Sequence, residues 1–217
     1  MSADDEKRLA AEAAAELVES GMTVGLGTGS TVAHLLPALA RRGITDLRCV
    51  ATSVATEEQA RSLGIPVEEF NALARLDIAI DGTDEVTPDG WLIKGGGGAH
   101  LREKIVAAAA ERFIVIADST KPVDRFTWPV PLELFGFGLS STLARLGADV
   151  TLREGTPPSP DGGAIADYRG PGLDDPAALA ARLEADPGVA AQGLFPPGLV
   201  SEIFVARGTD VERTTIG

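Results

Sequence analysis

The sequence predicts an α/β protein, a parallel sheet sandwiched by helices that carries a smaller α/β domain with the ferredoxin-like order of elements. Three features of the chain point there. A strand, loop, helix unit recurs through the first half, and from Pro129 the rhythm changes to β-α-β-β-α-β. The length, 217 residues, is enough for a core domain with a smaller one attached, each burying apolar side chains.

Taken in order, MSADDEKRLAAEAAAELVES (1–20) is charged and has the spacing of an amphipathic helix. MTVGL (22–26) reads as a short buried strand, GTGS as a glycine-rich turn, and 31–43 as a helix. The unit repeats with LRCVATS (47–53) and a helix over 54–63. It repeats again with LDIAID (76–81), a long loop and a helix over 99–112, and FIVIAD (113–118) closes the series. Apolar runs buried on both faces, alternating with helices, indicate a parallel sheet whose ligands sit beyond the carboxyl ends of its strands.

In the second half PVPLELF (129–135) reads as a strand and 138–147 as a helix. The strands ADVTLRE (148–154) and AIADYRG (164–170) flank a Pro/Gly-rich turn, and a helix over 174–186 leads to a strand at 188–195. The apolar stretch in the tail is expected to return to the first sheet. The division that follows is 1–128 with 200–217 as the first domain and 129–199 as the small one.

The charge balance, 19 basic against 32 acidic residues for a net −13, argues against a nucleic-acid partner, whose phosphates are held by Lys and Arg. A small anion remains compatible with it. The chain has four lysines, Lys7, Lys94, Lys104 and Lys121, and three of them fall between positions 94 and 121. Cys49 is the single cysteine, which rules out an intramolecular disulfide or a Cys/His zinc site and makes a reducing, cytoplasmic setting the default. The charged N-terminus is unlike a signal peptide and no apolar run is long enough to span a bilayer, so a soluble protein without a membrane partner is expected.

Three constellations could carry chemistry. Gly25-Leu-Gly27-Thr28-Gly29-Ser30-Thr31 lies where a strand turns into a helix. Its glycines, free N–H groups and hydroxyls could cup a phosphate, or form a tight capped turn and nothing more. It lacks the GK[ST] of a Walker loop, and Ser30 takes the place of the third glycine of a dinucleotide fingerprint. Asp81-Gly82-Thr83-Asp84-Glu85 gathers three carboxylates at a strand's carboxyl end, where they repel unless a ligand hydroxyl, a cation or a lysine compensates. A solvated Asp/Gly turn and a magnesium site are its other readings. Lys94-Gly95-Gly96-Gly97-Gly98 precedes a helix, and so many glycines in a row suit a loop that must approach a ligand. On that helix Glu103 has Val106 and Ala107 as its i+3 and i+4 neighbours, so no forward ion pair explains it, and it faces either a cleft or solvent. His34 and His100 read as packing or surface residues, since neither has the partners of a nucleophilic triad.

In this order GLGTGST, ATSVATEEQARSLGIPV, DIAIDGTDE, LIKGGGGAHLREKI and FIVIADSTK resemble the type A ribose-5-phosphate isomerases, and the resemblance extends over nearly the whole chain. It implies a Rossmann-like domain bearing a small ferredoxin-like domain, assembled as a homodimer or a dimer of dimers. It further implies a phosphate held by Thr28, Gly29, Ser30 and Thr31, and a sugar bound near Asp81, Gly82, Thr83 and Asp84. Lys94 with Gly95, Gly96 and Gly97 would form the next wall, Glu103 would be the catalytic base and Lys121 a further substrate contact. Thr83 departs from the alanine common at its position, and Gly98-Ala99-His100 varies a segment that often ends in alanine and leucine. The implied reaction passes a proton between C2 and C1 through an enediolate, with Lys94 and loop N–H groups stabilising charge and Asp81 assisting ring opening or proton exchange between oxygens. It requires neither a redox cofactor nor a metal. Sugar-phosphate sensor domains on related folds are the rival class; an acidic chain without an evident helix-turn-helix segment fits them less well.

Overall fold

The computed structural model describes residues 1–216. In chain order the first half forms α1 (Ala3–Ala15), β1 (Thr23–Leu26), α2 (Ser30–Arg42), β2 (Arg48–Ala51), α3 (Val54–Ser62), β3 (Leu76–Gly82), β4 (Glu85–Val86), β5 (Leu92–Ile93), α4 (His100–Ala109) and β6 (Ala110–Asp118). The second half forms β7 (Val130–Leu134), α5 (Leu139–Leu146), β8 (Val150–Leu152), β9 (Ala164–Tyr168), α6 (Pro176–Glu184), β10 (Val189–Gln192), β11 (Leu194–Phe195), β12 (Glu202–Arg207) and β13 (Asp210–Thr215).

By its contacts the chain divides into two units. The first holds Met1–Thr83, Arg102–Lys121 and the chain from Pro197 onward; the second holds Asp84–Leu101 and Pro122–Pro196. The segments 84–101 and 122–128, assigned from sequence to the first domain, thus group with the second. The cause is strand pairing, since β5 pairs with β4 on one side and with β11 on the other, and Val123 donates its N–H to the Val86 carbonyl.

The first unit is built on a six-stranded sheet in the order β13-β12-β6-β3-β1-β2. All neighbours are parallel except the hairpin of β12 and β13, which is the expected return of the tail. Helix α1 starts with a capping box between Ser2 and Asp5 and carries Asp4, Asp5 and Glu6 in its first turn, where negative charge suits the helix dipole. Helix α2 tolerates Pro37 because the carbonyl that Pro37 leaves unserved, that of Ala33, accepts the Gln59 side-chain N–H. Ala10, Leu26, Leu35, Leu36, Ile78, Ile80, Ile116 and Phe204 belong to one core that joins these helices to the sheet.

Helix α4 stops at Ala109, and β6 takes up residues whose helix-forming side chains place them in the helix expected over 99–112. Pairing of Ala110 with Leu76 and of Arg112 with Ile78 extends the sheet, and those backbone bonds override local propensity.

In the second unit β10-β7-β9-β8 form an antiparallel sheet, the ferredoxin-like arrangement expected from the element order. Val130, Leu132, Leu134, Tyr168, Leu179 and Leu183 fill its core. The single strand expected at 188–195 is broken at Gly193: β10 pairs with β7, and β11 turns away to pair with β5. A side chain at Gly193 would come within 2.3 Å of the Lys94 carbonyl, so only glycine fits at the break.

Candidate active site

In the first unit the glycine cup lies where the sequence placed it, after β1 and before α2. Its floor is pinned from three sides. Gly27 donates its N–H to the Ile80 carbonyl at 3.0 Å, the Gly27 carbonyl accepts from the Thr56 hydroxyl at 2.8 Å, and the Thr28 and Thr52 hydroxyls lie 2.7 Å apart. Asp81 stands against this floor, 3 % exposed, with Oδ1 accepting the N–H groups of Thr28 at 3.0 Å and Gly82 at 2.7 Å. The fit is close enough that a methyl group on Gly27 would lie 2.0 Å from the Asp81 carboxyl carbon. Beyond it the first N–H groups of α2, from Ser30 on, have no intrahelical partner and are available to an anion.

No sequence motif marks Lys7, yet its Nζ is 3.1 Å from Ser30 Oγ, which sets an ammonium at the rim of the cup. The signal available in the sequence was scarcity, one of four lysines on the helix that precedes the cup. Lys121 follows β6 in a turn closed by its own N–H on the Asp118 carbonyl. Glu6 of α1 braces that turn by accepting the Ser119 N–H at 2.9 Å, and it accepts the Gly208 N–H at 2.8 Å from the β12–β13 turn. Hydrogen bonds from Ser119 and from the Gly208 N–H hold the Glu6 carboxyl at about 2, below its ordinary 4.5.

Glu103 lies in the first turn of α4 and is 4 % exposed, whereas Ile105 two residues on is 49 % exposed. An amphipathic helix would bury the isoleucine and expose the acid, so at these two positions the usual polarity is inverted. The helix is seated on β1 through Val106, which occupies the space that a side chain on Gly25 would take. Glu103 sits one turn before Val106 on the same face and so is directed inward by a fixed helix.

In the second unit Lys94 is 2 % exposed, with its backbone N–H on the Gly193 carbonyl at 2.8 Å and its ammonium 5.6 Å from the centre of the Phe195 ring. Asp84 caps the glycine loop, accepting the Gly96 N–H at 2.7 Å. Glu85 has a structural place: its carboxylate accepts the N–H groups of Thr127 at 2.8 Å and Trp128 at 3.0 Å. Of the three acids at the end of that strand, Glu85 is thereby accounted for by folding. His34 pairs with Asp4 at 2.9 Å, and His100 is fully buried against Gly95.

A parallel α/β sheet with a glycine cup and a buried carboxylate beyond the carboxyl ends of its strands has the layout of α/β enzymes that take small ligands there. The family model for ribose 5-phosphate isomerase A (phosphoriboisomerase A) matches residues 48–210. The ribose-5-phosphate isomerase A of Caulobacter vibrioides (strain NA1000 / CB15N) is 48% identical over 97% of this chain and 96% of its own length, and that of Haloarcula marismortui is 42% identical over 98% and 96%. The crystal structure of ribose 5-phosphate isomerase A from Neisseria gonorrhoeae superposes with a TM-score of 0.93 at 34% identity, covering 100% of this chain and 98% of that one. The chain belongs to the ribose-5-phosphate isomerase A family, the fold being that of its solved members. Among the described residues no helix is long and apolar enough to cross a membrane.

Proposed function

We propose that this chain interconverts D-ribose 5-phosphate and D-ribulose 5-phosphate in the non-oxidative pentose phosphate pathway, with Glu103 as the base. Family membership supports the reaction. The observation that carries the assignment of the base is the inverted polarity of α4 at two positions, Glu103 buried and Ile105 exposed on the opposite side.

The Glu103 carboxylate removes the proton from C2 of the open aldose, and the electron pair of that C–H bond forms the C1=C2 bond of the enediolate as charge moves to O1. Return of the same proton to C1, with transfer of the O2 proton to O1, leaves the ketone at C2 and a hydroxyl at C1. One carboxylate serves both carbons because they are adjacent. Lys94 and the N–H groups of Gly95 and Gly97 stabilise the oxyanion, Gly96 completes that wall with its own N–H on Asp84, and Asp81 assists ring opening and exchange of protons between the oxygens. Thr28, Gly29, Ser30 and Thr31 hold the phosphate, Lys121 adds a cation, and Gly82, Thr83 and Asp84 contact the sugar. A solved D-ribose-5-phosphate isomerase, 32% identical to this chain with a TM-score of 0.92, is in complex with phospho-erythronic acid, a ligand that joins a phosphate to a carboxylate. A ligand of that kind supports a substrate that carries both a phosphate and a developing oxyanion.

The reading includes a cytoplasmic homodimer or dimer of dimers, for which light scattering should give two or four times the mass of one chain. Its direct test is to mix the protein with ribose 5-phosphate in the presence of a metal chelator and follow the sugar by NMR. Accumulation of ribulose 5-phosphate to a constant ratio is expected, whereas unchanged ribose 5-phosphate at stoichiometric protein would contradict the reading.

A further inference from the structure

Four consecutive glycines would ordinarily be the least ordered stretch of a chain. Here a single side chain, Arg153, holds the carbonyl side of the loop. Arg153 directly follows β8, and its own N–H continues the ladder by donating to the Ile165 carbonyl at 2.9 Å. Its guanidinium is gripped by Asp167 of β9 in a two-pronged contact, Nε to Oδ2 at 2.9 Å and Nη2 to Oδ1 at 2.7 Å, with both side chains about 15 % exposed. That leaves Nη1, which donates to the Gly95 carbonyl at 3.0 Å and to the Gly96 carbonyl at 2.9 Å.

The peptide group is planar and trans, so its C=O and N–H point in opposite directions. The Gly95 carbonyl and the Gly96 N–H belong to one peptide, held by Arg153 at one end and by Asp84 at the other. The next peptide has its Gly96 carbonyl on Arg153, which turns the Gly97 N–H away from the guanidinium. Among the described residues nothing accepts that N–H. Gly96 and Gly97 border, together with Arg153, a cavity of about 480 Å³, so space exists for the loop to relax if the guanidinium is removed.

We propose that Arg153, locked by Asp167, is a positioning residue that fixes the glycine loop so that the Gly97 N–H is a preset donor to the enediolate oxyanion. The proposal rests on the reaction assigned above. It follows from the donor inventory: four of the five guanidinium N–H bonds are used, two to orient the fork and two to orient peptides. Lysine supplies charge but cannot make the two-pronged contact and reach two carbonyls as well. Donors aimed in advance at the site of developing charge act on the transition state and cost no reorganisation at the moment of reaction.

The test compares wild type, Arg153→Lys, Arg153→Ala and Asp167→Asn for kcat, KM and melting temperature, and for affinity toward a phosphorylated hydroxamate that mimics the enediolate. Loss of one oxyanion donor costs roughly 10²- to 10³-fold in kcat, and a misaimed donor should cost at least about tenfold. Arg153→Lys is expected to melt within a few degrees of wild type and keep KM within about threefold. Its kcat should fall at least about tenfold, and hydroxamate affinity should fall by the same factor as kcat/KM. Guanidinium ion added to Arg153→Ala should restore part of kcat, which a purely structural loss would not allow. If the Arg153 variants do not fold, Asp167→Asn loosens the fork and should lower kcat severalfold at constant KM. A folded variant with kcat within about twofold of wild type, or one that raises KM alone, overturns the proposal. An inactive wild type would sink the assigned reaction and this inference together; an active wild type with unaffected variants sinks this inference alone.

Discussion

Replacing Gly27 by alanine forces a conflict whose size can be read from the structure. The added methyl would lie 2.0 Å from Asp81 Cγ, 2.1 Å from Oδ1 and 2.5 Å from Cβ, where ordinary contact begins at 3.4 Å. The Asp81 carboxylate must therefore withdraw by about 1.4 Å, the difference between 3.4 and 2.0 Å. A shift of that size breaks its hydrogen bonds from the Thr28 and Gly82 N–H groups. Overpacking of this kind costs typically ~1–3 kcal/mol, which for a chain of this size lowers the melting temperature by roughly 2–12 °C. Displacement of a catalytic group by about 1 Å can cost about 10²-fold in rate, so with Asp81 in the role proposed for it kcat for ribose 5-phosphate should drop by about that factor. Gly29→Ala is the control, because Gly29 has φ +111 and an added methyl there would meet nothing within 4 Å. Its backbone strain should destabilise by ~1–3 kcal/mol and act on KM through the proposed phosphate contacts of the cup, leaving Asp81 in place. A coupled assay and a thermal melt on both variants decide the matter. Gly27→Ala with wild-type kcat and a melting temperature within a degree of wild type would refute the reasoning.

If the cup holds the phosphate as proposed, Lys7→Ala should raise KM for ribose 5-phosphate about tenfold with little change in kcat, since the phosphate is remote from the reacting carbons; a fall in kcat alone would contradict this. The depressed Glu6 carboxyl contributes stability that is present above its unfolded value of 4.5 and is lost as pH falls toward about 2. Glu6→Gln should therefore melt lower at neutral pH and show a flatter acid limb between those values, and an unchanged limb would argue against the brace. Burial pushes the Cys49 thiol up to about 12, so an aromatic disulfide reagent at pH 8 should leave the native protein unmodified and label it on unfolding, and rapid native labelling would contradict the packing.

The alternation of apolar strands with helices carried the parallel sheet directly, because strands buried on both faces read as continuous apolar runs, as IAI and FIVIA do here. Two-residue strands leave no such trace. β4 and β5 exist only through pairing with each other and with β11, so their grouping with the second unit was invisible to local pattern. The same is true of the break at Gly193, which is fixed by the nearby Lys94 carbonyl. In the candidate site, the motifs at strand and helix ends stand out in the sequence because glycines, hydroxyls and carboxylates together are costly without a ligand. The residues that brace those motifs were not. Lys7, Glu6 and Arg153 act over sequence separations of 23, 113 and 58 residues, and no local spacing marks such contacts.

If the buried carboxylate of Glu103 carries the proton as proposed, steady-state kinetics of Glu103→Gln with ribose 5-phosphate must reveal it. Glutamine keeps the shape of the side chain without its basicity. The variant is expected to fold and to bind substrate as the wild type does, yet to lose kcat by roughly the 10²- to 10⁴-fold typical of a general acid/base group. A folded Glu103→Gln that keeps more than about a tenth of wild-type kcat, a loss below the low end of that range, would place the base elsewhere and contradict the account.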